Sequence, residues 1–504
     1  MADQPYGPGA FAFLAAYLVF MIILGYVARA RRRDDSMSSF YLAGKNLGAL
    51  VLFFTLYATQ YSGNTLIGYP GEAYRLGYAW IMSVGFMMAI VVAYLLFAPP
   101  LYRASRRGNF VTPGDWITHR FGANGSSGLT VFAGVLFVVA IANYLLAQLL
   151  AVGHIVSGLS GGAIPFWAGV VILAVIILFY ETLGGMQAVA WTDCIQGLLL
   201  FVGLLGMLAA VVAGSDRLGE ATAWIIAHQP SKAALPDGET IRTWISTILL
   251  VGFAAAVYPQ AIQRIFAARS ARSLKRSFTF MAFMPLVTIT AVVLVGILAI
   301  PQLTGLEGIA TDQVMPRLLG VWAAESTWLY IMTVLVLTGI VAAIMSTADS
   351  VLLSLSSLLV KDVLGRFRMG SLPEANLTAW GKRLSWIIMA VLVLIALTPD
   401  LTLWGLIELK MEVLIQTTPL FVLGVLWPRF SAAGAAAGMA AGTALAAGLT
   451  LAGMGKVWGW HAGVLGLALN VIVGVAVSWA GRLPGDPACP GPGTRKTGHV
   501  QQAE

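Results

Sequence analysis

Apolar runs of about 20 residues follow one another through nearly the whole chain, and each is as long as a helix must be to cross a bilayer. They lie near 9–28, 47–69, 78–102, 129–158, 164–182, 192–214, 241–262, 278–301, 327–358, 384–399, 401–427, 432–454 and 458–481. This spacing predicts about thirteen transmembrane helices. Composition agrees: 59% of the 504 residues are hydrophobic and 10% charged, where soluble domains carry roughly 25% charge. No run alternates polar and apolar residues as an outer-membrane barrel does, so the fold class is an all-α polytopic membrane protein. Two longer loops, near 215–240 and 302–326, mix both signs of charge, and the Gly- and Pro-rich tail from 482 is expected to be disordered.

Basic residues orient these spans. Most of the 30 Lys and Arg fall in loops near 29–45, 103–120, 264–276 and 361–383 and after 429. The opposite loops hold only Arg75, Arg217, Lys232, Arg242, Arg317 and Lys456, while Lys410 lies within a span. By the positive-inside rule the N-terminus is outside and the C-terminus inside a cell membrane, that of a bacterium's inner membrane. The net charge of +8 then follows from topology and an anionic inner leaflet, with no nucleic-acid partner. Arg29 to Arg33 follow the first apolar run and do not precede it, so that run reads as an anchor and not a secretory signal. Cys194 and Cys489 both fall on the reducing side, and no GxxxxGK[ST] loop provides for ATP-driven pumping. Gly434, Gly438 and Gly442 share one helical face and predict close helix packing.

Two polar interruptions stand out against this background. In span 9, Ser346 and Thr347 lie three and four residues beyond Ala343, so both hydroxyls share a helical face with the Ala343 carbonyl. Such oxygens suit a small hard cation; alternatively, the hydroxyls bond back to the preceding turn and merely pack. In span 2, the stretch from Thr59 through Gln60, Tyr61, Ser62, Gly63 and Asn64 to Thr65 predicts a broken helix. Its first half would free the carbonyls of Ala58, Thr59, Gln60 and Tyr61 for a cation. Its second half would aim N–H groups and a positive dipole end at a carboxylate. Span 7 has comparable weak points at Gly252 and Pro259, and interrupted helices at corresponding places in two halves mark an inverted-repeat transporter.

These residues resemble the sodium:solute symporters, a family that includes proline, pantothenate, monocarboxylate and sugar carriers. The resemblance runs over nearly the whole chain. It rests on Phe40-Tyr41-Leu42-Ala43-Gly44-Lys45, on Ile67-Gly68-Tyr69-Pro70-Gly71 with Gly77, on the stretch from Gly184-Gly185-Met186 to Trp191-Thr192-Asp193 and Gln196, on Pro259 to Arg264, and on Met345-Ser346-Thr347. It implies two inverted five-helix repeats, 47–214 and 241–427, with discontinuous helices and alternating access. Around them it implies an extra helix and basic cytoplasmic loop at 1–46, two extra helices at 432–481 and a cytoplasmic tail from 482. It further implies a transporter and not an enzyme, with sodium as coupling ion held by the carbonyls of Ala58, Tyr61 and Ala343 and the hydroxyls of Ser346 and Thr347. Asp193 would lie on the ion's release path; alternatively, it is a solvated carboxylate capping span 6. Proline carriers have an aspartate where Gln60 stands and an aromatic pair where Val251 and Ala255 stand, so proline is a poor fit.

Span 11 carries Glu408, Lys410 and Glu412. Glu408, Glu412 and Gln416 share a face, and Lys410 points about 200° away from Glu408. Lys410 is either a counter-charge for an anionic substrate or a snorkelling or structurally paired group. The expected solute is a small organic carboxylate, a monocarboxylate or pantothenate-like acid, contacted by Gln60, Ser62, Gly63, Asn64, Thr65, Gln148 and Lys410. Two alternatives stand beside sodium symport. One is a proton-coupled carrier using Glu408 or Glu412; the other is a membrane-embedded solute sensor that needs a partner chain, since the segment after Gly481 has no room for a signalling domain.

Overall fold

A computed structural model describes residues 6–30, 36–366, 373–398 and 402–481. The tail from 482, with Cys489, and the basic residues Arg31 to Arg33 lie outside the described residues. Helix α1 (Pro8–Ala30) precedes the short α2 (Met37–Leu42). The second crossing is then split into α3 (Ala49–Gln60) and α4 (Tyr69–Leu76), with a π-helical turn over Asn64–Gly68 between them. Helices α5 (Ser83–Gly108), α6 (Pro113–Phe121) and α7 (Ala123–Leu159) lead to the long α8 (Phe166–Ala213) and to α9 (Ser215–His228). A second discontinuous pair follows, α10 (Gly238–Ala256) and α11 (Pro259–Ala267), then α12 (Ala271–Gln302), α13 (Val314–Ala323) and α14 (Thr327–Ser357). The remainder comprises α15 (Glu374–Ala396), α16 (Leu403–Leu414), α17 (Thr418–Leu426), α18 (Ala432–Leu451) and α19 (Ala462–Ala480). A hairpin of two-residue strands, Lys456–Val457 with Trp460–His461, joins the last two helices.

Among the described residues, ten helices are long and apolar enough to cross a membrane, or eleven when α10 and α11, bent by 50°, count as one crossing. Two further apolar helices, Ala49–Gln60 and Phe166–Phe179, are shorter. Length and composition therefore do not confirm the expected count of thirteen, because the chain interrupts its crossings. At Tyr61 the backbone leaves the helical region (φ −95°, ψ 80°). Inside α8, Gly185 takes φ 58°, ψ −154°, a conformation open to glycine alone. A Cβ there would also stand 2.7 Å from the Phe40 carbonyl oxygen.

Helix α14 is the axle of the core. From Val336 to Ser357 it is buried on every side, packed against α8, α7, α3 and α11, so its polar residues face protein and not lipid. The glycine face of α18 meets α19 as expected: a Cβ on Gly438 would fall 2.3 Å from the Asn470 carbonyl oxygen, and one on Gly442 2.6 Å from that of Gly466.

Candidate functional site

The break after α3 sets up the site. In an uninterrupted helix the Gly63 N–H would bond the Thr59 carbonyl; here it donates to Gln148 Oε1 on α7, at 2.9 Å. The Thr59 carbonyl is thereby released, and it accepts from the Tyr144 hydroxyl at 3.2 Å. From α14, Thr347 Oγ1 stands 3.4 Å from both the Ala58 and the Thr59 carbonyl oxygens. Tyr61 and Ala343 are buried beside them, at the C-cap of α3 and one turn earlier on α14. This oxygen-rich joint between a broken helix and α14 has the donor chemistry that a sodium ion takes.

Ser346 turns the other way, donating its hydroxyl to Asp193 Oδ1. Asp193 is fully buried and pairs through Oδ2 with Arg264 Nη2 at 3.1 Å, while the Thr55 hydroxyl donates to the same oxygen. The reading of Asp193 as a solvated cap is thus corrected: α11 carries an arginine to it. Arg264 also donates from Nε to Thr55 Oγ1 (2.8 Å), from Nη2 to Ser350 Oγ (2.6 Å) and from Nη1 to the Gln260 carbonyl (3.1 Å). Sequence reasoning quoted Arg264 only as part of a motif. The available signal was physical, since a buried aspartate in a membrane requires a counter-charge.

Next to the joint is a small cavity bounded by the break, α5, α7, α10 and α16. Gln60, Ser62, Asn64, Thr65 and Lys410 line it together with Tyr144 and Tyr258. The two tyrosine rings stack, centroids 5.1 Å apart. Lys410 Nζ lies 3.1 Å from the Tyr144 centroid and 5.4 Å from that of Tyr258. Its ammonium is buried, and among the described residues no carboxylate lies within ion-pair distance. Gln60 Nε2 and Asn64 Nδ2 are buried donors with no acceptor among the described residues. Tyr69 completes the wall with the apolar Met87, Ile90, Val251, Ala255, Ile407 and Met411.

Two residues expected to touch the solute brace the break and do not line the cavity. Gln148 holds Gly63 and donates from Nε2 to Asn64 Oδ1 at 3.2 Å. A Cβ on Gly63 would meet Ile344 Cγ1 at 2.5 Å and the Ala151 Cβ at 2.9 Å. Gly63→Ala is therefore expected to destabilise the protein by about 1–3 kcal/mol through overpacking, read as a lower unfolding midpoint in detergent; an unchanged midpoint would show that the break has slack.

The opposite face of α16 is also accounted for. Glu408 pairs with Lys456 (2.8 Å) and His461 (3.3 Å), and Glu412 accepts from Thr450 at 2.8 Å. Gln416 donates to the Gly463 carbonyl at 2.9 Å. That face lashes α16 to the C-terminal helices, away from the cavity. Lys410 is buried and does not snorkel, and among the described residues it pairs with no acid across helices.

A model of the sodium:solute symporter family matches residues 40–442. The high-affinity proline transporter PutP of Bacillus subtilis (strain 168) is 27% identical over 84% of this chain and 88% of its own. The sodium/pantothenate symporter of Escherichia coli (strain K12) is 26% identical over 91% and 94%. Among solved structures, a Na+-coupled sialic acid symporter in a substrate-bound, outward-open state has a TM-score of 0.76 at 20% identity, covering 94% of this chain and 98% of that one, a likeness of fold.

Proposed function

The chain belongs to the sodium:solute symporter family, and from that premise we propose that it carries a small organic carboxylate inward together with sodium, by alternating access. One observation carries the choice of solute. Three buried N–H donors, Lys410 Nζ, Gln60 Nε2 and Asn64 Nδ2, face a single cavity whose lining has no Asp or Glu. Buried donors without acceptors are costly unless a ligand satisfies them. A carboxylate satisfies all three at once. The ammonium of a zwitterion such as proline would find no carboxylate on the same wall. Pantothenate, for which the Escherichia coli relative is named, is itself a carboxylate.

In this reading sodium binds at the carbonyls of Ala58, Tyr61 and Ala343 with the hydroxyls of Thr347 and Ser346. Ser346 can rotate between the ion and Asp193, which places Asp193 on the release path. The repeats 47–214 and 241–427 then exchange access, with the N-terminus outside and the C-terminus inside. Ions bound at the joint between α3 and α14 hold the break in the form that orients Gln60 and Asn64, so ion and solute favour the same state.

The test uses proteoliposomes and a panel of short monocarboxylates, pantothenate, amino acids and sugars, with and without sodium. Carboxylates are expected to accumulate only with sodium. Ser346→Ala combined with Thr347→Ala is expected to lower sodium-stimulated uptake by about 10-fold or more, the size of a typical coupling energy. Movement of sugars or amines alone would remove the carboxylate assignment, and unchanged sodium stimulation would remove the ion site.

A further inference from the structure

Where α1 crosses α7 and the first half of α8, the helices enclose a crevice of about 160 Å³. Its wall is made of hydrocarbon side chains and one glycine, with no side-chain nitrogen or oxygen. Phe11, Leu14, Ala15 and Leu18 line it from α1, at the three- and four-residue spacing that turns one face of a helix toward it. A narrower recess, lined by the same Phe11 and Leu14 and by Leu159, continues it toward Tyr6.

The crevice runs from the outside of the bundle to its axle. Ile172 at the mouth is 52% exposed, whereas Val152, Leu173 and Val341 at the floor are 2%, 3% and 3% exposed. The surfaces beside the mouth are apolar too, with Val19 and Ile23 of α1 and Val171 and Val175 of α8 exposed. In a chain of membrane-crossing helices such faces lie against lipid, so the medium at the mouth is hydrocarbon. The walls cannot draw together. Helices α7 and α8 already meet at their closest: a Cβ on Gly153 would lie 2.4 Å from Phe166 Cε2, and one on Gly169 2.9 Å from the Val156 Cβ. Helix α1 rests mainly on α8 and touches α14 little.

Protein interiors hold few spaces larger than a water molecule, and a cavity of about 150 Å³ lined by Leu, Ile and Phe stays dry and takes an apolar guest. Water and a charged solute are thereby excluded. A helix of a partner, about 10 Å across with its side chains, is too wide to enter, whereas a single hydrocarbon chain is not. We propose that the crevice holds an acyl chain of a membrane phospholipid. Its floor lies behind the ion joint. Val341 is two residues before Ala343 and so on the far side of α14 from it, and Val152 is one turn beyond Gln148. A chain seated there props α7 and α14 toward the break and tightens sodium binding without touching the ion.

The experiment places the full-length protein in vesicles of phosphatidylethanolamine and phosphatidylglycerol, the latter carrying a photoactivatable diazirine within one acyl chain, and maps the labelled residues by peptide mass. Bulk lipid reaches the exposed Val19; it reaches Val152, Leu173 and Val341 only through the crevice. Wild type is expected to be labelled at both places. Ala15→Phe fills the mouth from a lipid-facing position and should lower floor labelling several-fold while Val19 stays labelled; Ile176→Phe, filling from α8, should do the same. Val19→Phe, on the same helix but outside the crevice, should leave the floor labelled. A floor unlabelled in wild type, or labelled equally in both filling variants, overturns the proposal. So does floor labelling that appears only on dilution into excess lipid, which makes a second copy of this chain the occupant. Radiolabelled sodium is then bound in detergent before and after phospholipid is restored, and its affinity is expected to rise several-fold in wild type and to stay fixed in Ala15→Phe. This second measurement rests on the joint at Thr347 being the sodium site, and the labelling does not. If no sodium binds with or without lipid, the ion reading fails and the labelling still decides the crevice; a labelled floor with unchanged sodium affinity removes the propping role.

Discussion

Lys410→Gln is expected to raise the KM for carboxylate uptake by about 100-fold or more, since truncating one member of a buried charge pair typically costs 2–5 kcal/mol. Sodium binding measured without solute should be unchanged, because the ion joint shares no hydrogen bond with Lys410. The same substitution is expected to leave the unfolding midpoint equal to or above that of wild type. Among the described residues the ammonium has the faces of Tyr144 and Tyr258 for partners. Cation–π attraction returns about 2 kcal/mol at desolvated sites, against several for burying the charge. Loss of affinity with a gain of stability is the mark of a residue kept for its ligand. A variant that transports carboxylates with wild-type KM would exclude Lys410 from solute recognition.

Arg264→Ala is expected to cause the largest loss of stability of any single substitution in the core, about 3–5 kcal/mol, as removal of one partner strands a buried charge. The stranded group is Asp193, left with only the hydroxyls of Ser346 and Thr55. Ser350 and the Gln260 carbonyl also lose the donor that Arg264 supplies. The companion variant Arg264→Met with Asp193→Leu removes both charges, and part of the loss should return. Unfolding midpoints in detergent decide between the cases. If the double variant is as unstable as Arg264→Ala, packing and not charge is what the pair supplies.

How far the fold can be read from the chain depends on whether the cause is local. Thr59 to Thr65 announce a break because polar side chains and a glycine interrupt an apolar run, and the helix does stop at Gln60. The spacing of Ser346 and Thr347 from Ala343 is likewise a property of one helix, although the two hydroxyls diverge, one to the α3 carbonyls and one to Asp193. The pairing of Asp193 with Arg264 depends on how α8 and α11 pack, which no local pattern encodes. Gln148 entered as a solute contact only through the family resemblance; which partner it takes is decided by the approach of α7 to the break. For Lys410 the face opposite Glu408 was legible from helical geometry, and the cavity that this face meets was not. The break at Gly185 falls between the apolar runs 164–182 and 192–214, so a boundary there was legible; that one glycine with positive φ makes it inside a continuous helix was not.

The amide of Gln148 grips Gly63 with its oxygen and Asn64 with its nitrogen. The first grip keeps the Thr59 carbonyl out of its helix, where the Tyr144 and Thr347 hydroxyls reach it; the second occupies the oxygen of Asn64 and leaves its nitrogen facing the cavity. One planar group thus serves as a double-throw contact between two compartments. If it let go, the carbonyl and the Asn64 donor would be lost in the same movement, so neither ligand could sense the other's departure later than the amide does. Reciprocity between the two affinities then needs no long relay through the protein; it is contained in the width of a single side chain.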